Sequence, residues 1–305
     1  MPPVPTKRRT LGFAACCLAS AFWGCGFFFG KIALTEMGVG AMVFYRFFFA
    51  TVALTPLLVT HRPNMNRREW GILLGASFLG VPLQFLIQFY GLSLTTVSHA
   101  SLMVGTMPVI LAVGAAVFAQ ERLDRIGWIA LAASTLGAAL IASGAHHAGR
   151  SQATVQGDLL VVLSLLIALF WILGNKQLMQ RHSPIVITAY GTAAGMLMLC
   201  VAVPLLFGLP PLRHVSPRAW AALIASGVLC TATTTLLWNW GMTQVPASQA
   251  GILLNMEPLV GSLLGILILG EHLGPSAWLG GAMILAAAIT LTLHSQATVS
   301  EFLQE

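Results

Sequence analysis

Apolar residues follow one another along this chain in ten long stretches, at about 11–34, 40–60, 70–91, 97–119, 125–143, 156–178, 185–207, 217–240, 247–269 and 275–293. Short polar or turn-rich pieces separate them, such as His61 to Arg68, Gln120 to Arg125, Arg181 to Pro184 and Gly208 to Pro217. A hydrocarbon layer ~30 Å thick takes ~20 helical residues to cross. The pattern predicts an all-α membrane protein with ten transmembrane helices. Lys7, Arg8 and Arg9 precede the first stretch as they would in a secretory signal, but the run to Leu34 is too long for a signal core. It is expected to remain as the first helix.

Laid on itself with an offset of 150, the chain pairs Gly91, Ser98, Ala100, Pro108, Glu121, Leu123 and Trp128 with Gly241, Ser248, Ala250, Pro258, Glu271, Leu273 and Trp278. No gap is needed over about fifty residues. A weaker echo sets Phe22-Trp23 against Phe170-Trp171. Generic membrane composition matches Gly, Ala and Leu easily, but not a mid-span Pro, a loop Glu and a Trp in one register. The chain therefore reads as a duplication: a first repeat over 1–143, a connecting loop over 144–155, a second repeat over 156–294 and a tail over 295–305. Five spans per copy is an odd number, so the two five-helix repeats are expected to be inverted. That arrangement underlies alternating access to a site near the midplane.

Composition agrees and sets limits. Hydrophobic residues make up 57% and charged residues 8% of the 305 positions, and a soluble domain carries roughly three times that charge. No sizeable soluble catalytic domain fits. The formal charge of +6 resides largely in loops, where it reports orientation and not nucleic-acid binding. With the N-terminus inside, Lys7, Arg8, Arg9, Arg62, Arg67, Arg68, Arg122, Arg125, Lys176 and Arg181 fall on the cytoplasmic side, against Arg150, Arg213 and Arg218 outside. Both termini are then cytoplasmic. The five cysteines lie within apolar stretches without metal-type spacing and read as small buried hydrophobes.

Several motifs resemble the drug/metabolite transporter superfamily, specifically its EamA type. They are Ala21-Phe22-Trp23-Gly24, Phe44-Tyr45-Arg46-Phe47, Pro108 with Gln120-Glu121-Arg122-Leu123, Glu257-Pro258-Leu259, and Leu269-Gly270-Glu271-His272-Leu273. The likeness spans essentially residues 11–293, although the first copy has Gln120 where the second has Gly270. It implies ten helices in two repeats, with the fifth and tenth as peripheral scaffold. It also implies export or exchange of small metabolites, amino acids and aromatic amino acids among them, across a bacterial inner membrane. No cofactor is implied.

Ionisable groups deep in a span are costly and usually face a cavity or a partner. Glu257, just before Pro258, would receive a substrate amine or carry a coupling proton, or else pack protonated against a neighbour. Arg46 would grip a substrate carboxylate with its planar fork, or snorkel and pair with Glu36. Lys31 reads as a snorkelling anchor or a Glu36 partner. Gln84 and Gln88 share a helical face. With Asn239 and Asn255 they would line a wet cavity or form interhelical bonds. His99 begins the fourth span opposite Gln249, at a cavity mouth, as a pH sensor or a solvated histidine. Trp23, Tyr45, Trp171 and Tyr190 offer aromatic surfaces for stacking or for interface anchoring. Pro108 and Pro258 are candidate bending points. Glu121 and Glu271, at helix ends, are expected to pair with a neighbour or cap the next helix.

Rival classes find less support. Neither HExxH, GxSG nor an acidic cluster points to a membrane-embedded enzyme, and no Walker lysine motif to an ATP-driven pump. A channel or a lipid or lipid-linked sugar flippase fits the same architecture. The few buried charges and many amide and aromatic groups favour a neutral or zwitterionic small-molecule substrate, above all an amino acid. The expected assembly is a monomer or homodimer in the lipid bilayer.

Overall fold

In a computed structural model, the structure describes residues 6–118, 125–144, 153–211, 215–244, 253–254 and 256–302. Ten helical segments account for nearly all of them: α1 Thr6–Leu34, α2 Val39–Thr60, α3 Arg67–Ser93, α4 in two pieces, Val97–Val104 and Met107–Phe118, and α5 Arg125–Gly144. In the second half these are α6 Val155–Met179, α7 Pro184–Phe207, α8 Pro217–Gly241, α9 Met256–Leu269 and α10 Pro275–Phe302. There is no strand among the described residues. Six helices, α1, α2, α3, α6, α7 and α8, are long and apolar enough to cross a membrane, and shorter apolar stretches occupy the rest. The tenth helix runs to Phe302, so the tail expected from 295 is mostly helix.

Local chemistry explains where the helices start and stop. Asn66 and Glu69 form a capping box at α3, each side chain bonding the other's backbone N–H at 2.9 Å. The side chains of Thr96, Thr154, Ser183 and Ser216 accept from the first-turn N–H groups of α4, α6, α7 and α8. Gly208 and Gly270 take positive φ, 81° and 67°, just past α7 and α9, a conformation that a side chain would disfavour.

The contacts at the helix ends trace an up-and-down path. At one end, Glu36 bonds Ser216, Tyr45 bonds Pro211, Thr154 bonds Leu94, and Glu271 bonds Ser98. These join the α1–α2, α3–α4, α5–α6, α7–α8 and α9–α10 turns on one face. At the other end Glu69 meets Arg181 and His182, and the Tyr190 hydroxyl donates to the Leu58 carbonyl. The second set of five helices therefore enters from the face opposite to the first, and the two repeats are inverted.

The repeats are also alike in a detail the apolar pattern does not encode. α3 widens to a π-helical turn at Leu79–Leu83 and α8 at Val228–Thr233, and the offset of 150 lays the first onto the second. In α3, Pro82 has no N–H to give the Phe78 carbonyl. In α8, the Thr231 and Thr234 hydroxyls donate five residues back, to Ser226 and Leu229 carbonyls at 3.0 and 2.6 Å. π-bulges concentrate at functional sites, and both lie mid-helix.

Candidate functional site

Around the middle of α1, glycines let three partners approach. A Cβ on Gly24 would lie 2.6 Å from the Glu257 carbonyl oxygen on α9. On Gly26 it would lie 3.4 Å from the Arg46 guanidinium on α2, and on Gly30 it would strike the Phe89 ring of α3. Small residues thus bring α1 against the helices that carry the candidate polar groups. Trp23 packs on Trp238 of α8 with ring centroids 5.3 Å apart.

Arg46 is 3% exposed. Its Nε donates to the Thr231 hydroxyl at 2.8 Å and its Nη2 to the Cys230 carbonyl at 3.1 Å. Both acceptors belong to the π-helical turn of α8. The guanidinium also lies over Phe85 and Phe89, at 4.8 and 5.2 Å from their centroids, and these two rings stack on each other. Such contacts favour a cation, yet they carry no negative charge. Among the described residues no carboxylate lies within ion-pair reach of Arg46. Glu36, its alternative partner in the sequence, instead accepts from the Ser216 amide and hydroxyl at 2.7 and 2.6 Å. Those two donors hold the Glu36 carboxyl below the usual carboxylate range.

Gln84 and Gln88 are both buried on α3, on either side of Phe85. The Gln84 amide oxygen has no hydrogen-bond donor among the described residues. A buried acceptor without a donor is costly, so this oxygen is available to a ligand N–H. Glu257 is half-buried at the start of α9, immediately before the buried Pro258. Pro258 in turn neighbours Gly105, where the two pieces of α4 meet ahead of Pro108.

Other candidates sit apart from this group. The Tyr45 hydroxyl donates to Pro211 at 3.0 Å and its ring meets Trp220 edge-on. Asn239 donates to the Thr188 hydroxyl at 2.7 Å, joining α8 to α7. Trp171 packs where Gly80 lacks a side chain. Tyr190 lines an apolar groove of about 780 Å³ between α3 and α7, with Trp70, Phe78 and Leu197. This groove opens on the outside of the bundle. Asn255 and Glu121 lie outside the described residues. Among the described residues no group of three or more His, Cys, Asp or Glu could hold a metal ion.

One expectation needs correction. Lys31 does not meet Glu36: its Nζ donates to the Leu92 and Thr95 carbonyls at 2.9 and 2.5 Å, satisfying the C-terminal end of α3. Glu271 pairs with a neighbour, and in doing so caps a helix that is not the next one. It accepts from the Val97 and Ser98 amides and the Ser98 hydroxyl, at 2.8, 2.7 and 2.7 Å, at the start of α4 in the other repeat. Sequence reasoning also missed Asp158, wholly buried in the first turn of α6. A lone acid opening an apolar stretch was the available signal.

The EamA-like transporter family matches residues 10–143 and again 155–293. An uncharacterized transporter of Archaeoglobus fulgidus is 27% identical over 282 residues, 92% of this chain and 96% of the relative. The biotin transporter of Salmonella typhimurium is 27% identical over 277 residues, covering 88% and 89%. A solved crystal structure superposes with a TM-score of 0.66 at 17% identity over 96% of this chain and 99% of the other, a likeness of fold alone. Two matched halves, each of five helices, identify the chain as a member of the EamA-like transporter family, within the drug/metabolite transporter superfamily.

Proposed function

We propose that this transporter exports or exchanges a small carboxylate-bearing metabolite, an amino acid or related zwitterion, by alternating access across the bacterial inner membrane. The observation that carries the reading is Arg46, a buried cation held by two aromatic rings, a hydroxyl and a carbonyl, with no carboxylate in ion-pair contact among the described residues and Glu257 acting on it only from further off. Burying a charge without a partner in contact is expensive, and an anionic substrate group supplies that contact. Arg46 takes the carboxylate, the Gln84 amide oxygen and Glu257 receive the substrate amine, and Trp23 with Trp238 offers an apolar wall. Pro108 and Pro258 are the bending points of α4 and α9.

The similarity to a biotin transporter supports a second reading, a carboxylate without an amine, in which Arg46 keeps its role and Glu257 loses its partner. Counterflow in proteoliposomes over a panel of amino acids and biotin separates the two. A saturable flux stimulated by substrate on the far side is expected for at least one carboxylate. A flux without that stimulation would establish a channel instead. With Glu257→Gln, an amine-bearing substrate loses affinity, whereas biotin transport is unchanged.

A further inference from the structure

The end of the bundle that holds the α1–α2 and α3–α4 turns carries a buried acid–base pair that the substrate site does not use. Asp158, 0% exposed, and His99, 4% exposed, bring Oδ2 and Nδ1 to 3.0 Å. The other Asp158 oxygen accepts from the Thr95 hydroxyl at 2.5 Å. The pair ties α6 of the second repeat to α4 of the first, at the residue that follows Ser98, which Glu271 holds. Gly91 and Gly157 pack backbone on backbone beside it. Two titratable side chains at a closed joint between helices of opposite repeats do more than fill space.

Inverted repeats should carry matched joints at the two ends of the bundle. The offset of 150 sets Gln249 against His99, and the offset that aligns Trp23 with Trp171 sets Thr10 against Asp158. Neither Thr nor Gln titrates, so the equivalent positions in the sequence do not repeat the ionisable pair of this joint. By the count of basic loop residues, this is the outer end.

We infer that the His99–Asp158 pair is a proton-responsive clamp on the outer end of α4, which holds the transporter closed to the outside when His99 is protonated. With the imidazolium, a hydrogen bond becomes a buried ion pair; with neutral His99, the joint keeps only the hydrogen bond. Acidification from outside therefore favours the closed outer end, and raising the pH relaxes it. Other groups facing the pair are fixed around it. Lys31 of α1 holds the Thr95 carbonyl, and Glu271, which His272 adjoins, holds the first amides of α4. Glu257 lies further along α9 and Tyr90 is exposed on α3, while residues 275–290 of α10 carry no ionisable side chain. The inference rests on the two-state transport cycle proposed above.

Hydrogen exchange of the purified full chain, followed at residues 97–104 between about pH 8 and about pH 5.5, tests the clamp without a substrate. Corrected for intrinsic chemistry, exchange should slow by roughly fivefold or more on acidification. His99→Asn, which keeps a donor near the Nδ1 position, and Asp158→Asn should each flatten that response. If either folded variant retains the parent's pH profile, the clamp is wrong. Counterflow over the same range should fall in the parent and not in the variants. Exchange that responds without any counterflow would sink the transport reading and leave the clamp standing. Counterflow with unresponsive exchange would do the reverse.

Discussion

At the residue scale, the site turns on how one guanidinium is held. Arg46 uses Nε and Nη2 in two directions at once, toward Thr231 and Cys230, while its plane lies over Phe85 and Phe89. A lysine ammonium offers a point charge and no plane, so Arg46→Lys keeps the charge and loses the orientation. Charge-assisted hydrogen bonds contribute about 1.5–3 kcal/mol each. Counterflow by Arg46→Lys is accordingly expected to drop roughly tenfold to a hundredfold, and the melting temperature of the purified protein to fall as well, since the Thr231 and Cys230 bonds go with the guanidinium. Wild-type transport in this variant would remove Arg46 from substrate binding. Arg46 was visible in the sequence as a charge inside an apolar stretch, but its partners were not. Phe85 and Phe89 read as ordinary apolar positions, and the carbonyl of Cys230 that accepts from Arg46 lies in a π-helical turn that the apolar pattern does not encode.

At the scale of elements, helix existence and most boundaries were legible, because apolar runs of membrane length bounded by Ser, Thr, Asn, Pro and Gly leave few alternatives. The π-helical turns, the Glu271 cap and the anchoring of Lys31 were not, since each depends on a group more than sixty residues away or on a local change of helical period. Two expectations concern how elements are joined. α5 and α10 cross where Gly137 and Gly280 meet, and a Cβ on Gly280 would collide with the Gly137 carbonyl oxygen. Gly280→Ala forces these helices apart at a cost of about 1–3 kcal/mol. Thermal denaturation should register that loss while substrate affinity stays at the parent's value, because the crossing is remote from Arg46. Glu36 links the α1–α2 turn to the start of α8, and its carboxyl is held below the ordinary range by the Ser216 hydroxyl and amide. A carboxyl depressed in the folded state stabilises above its unfolded pKa, and that contribution disappears as the pH falls through the folded value. The melting temperature of Glu36→Gln should thus lie below the parent's near neutral pH, and the difference should close below about pH 4.

For the whole molecule, the decisive property is that the proposed site draws on two repeats of opposite polarity. The end contacts place the α1–α2 and α9–α10 turns on one face, and the α2–α3 and α6–α7 connections on the other. Basic residues divide unequally between them: Arg62, Arg67, Arg68, Lys176 and Arg181 gather at the second face, and Arg218 stands at the first. If this asymmetry sets insertion, the second face is cytoplasmic and the termini share it. In a variant freed of its own cysteines, single cysteines in place of Gly38 and Asn64, both exposed loop positions on opposite faces, report the orientation in intact cells. A membrane-impermeant thiol reagent should modify the cysteine at 38 and spare the one at 64 until the membrane is opened. The reverse pattern would turn the molecule over and transfer the His99–Asp158 clamp to the cytoplasmic side. It would then answer to internal and not external acid, with its geometry unchanged. Equal modification at both positions in intact cells would mean that the two turns share a face, and the inverted repeat, with the alternating site built on it, would fail together.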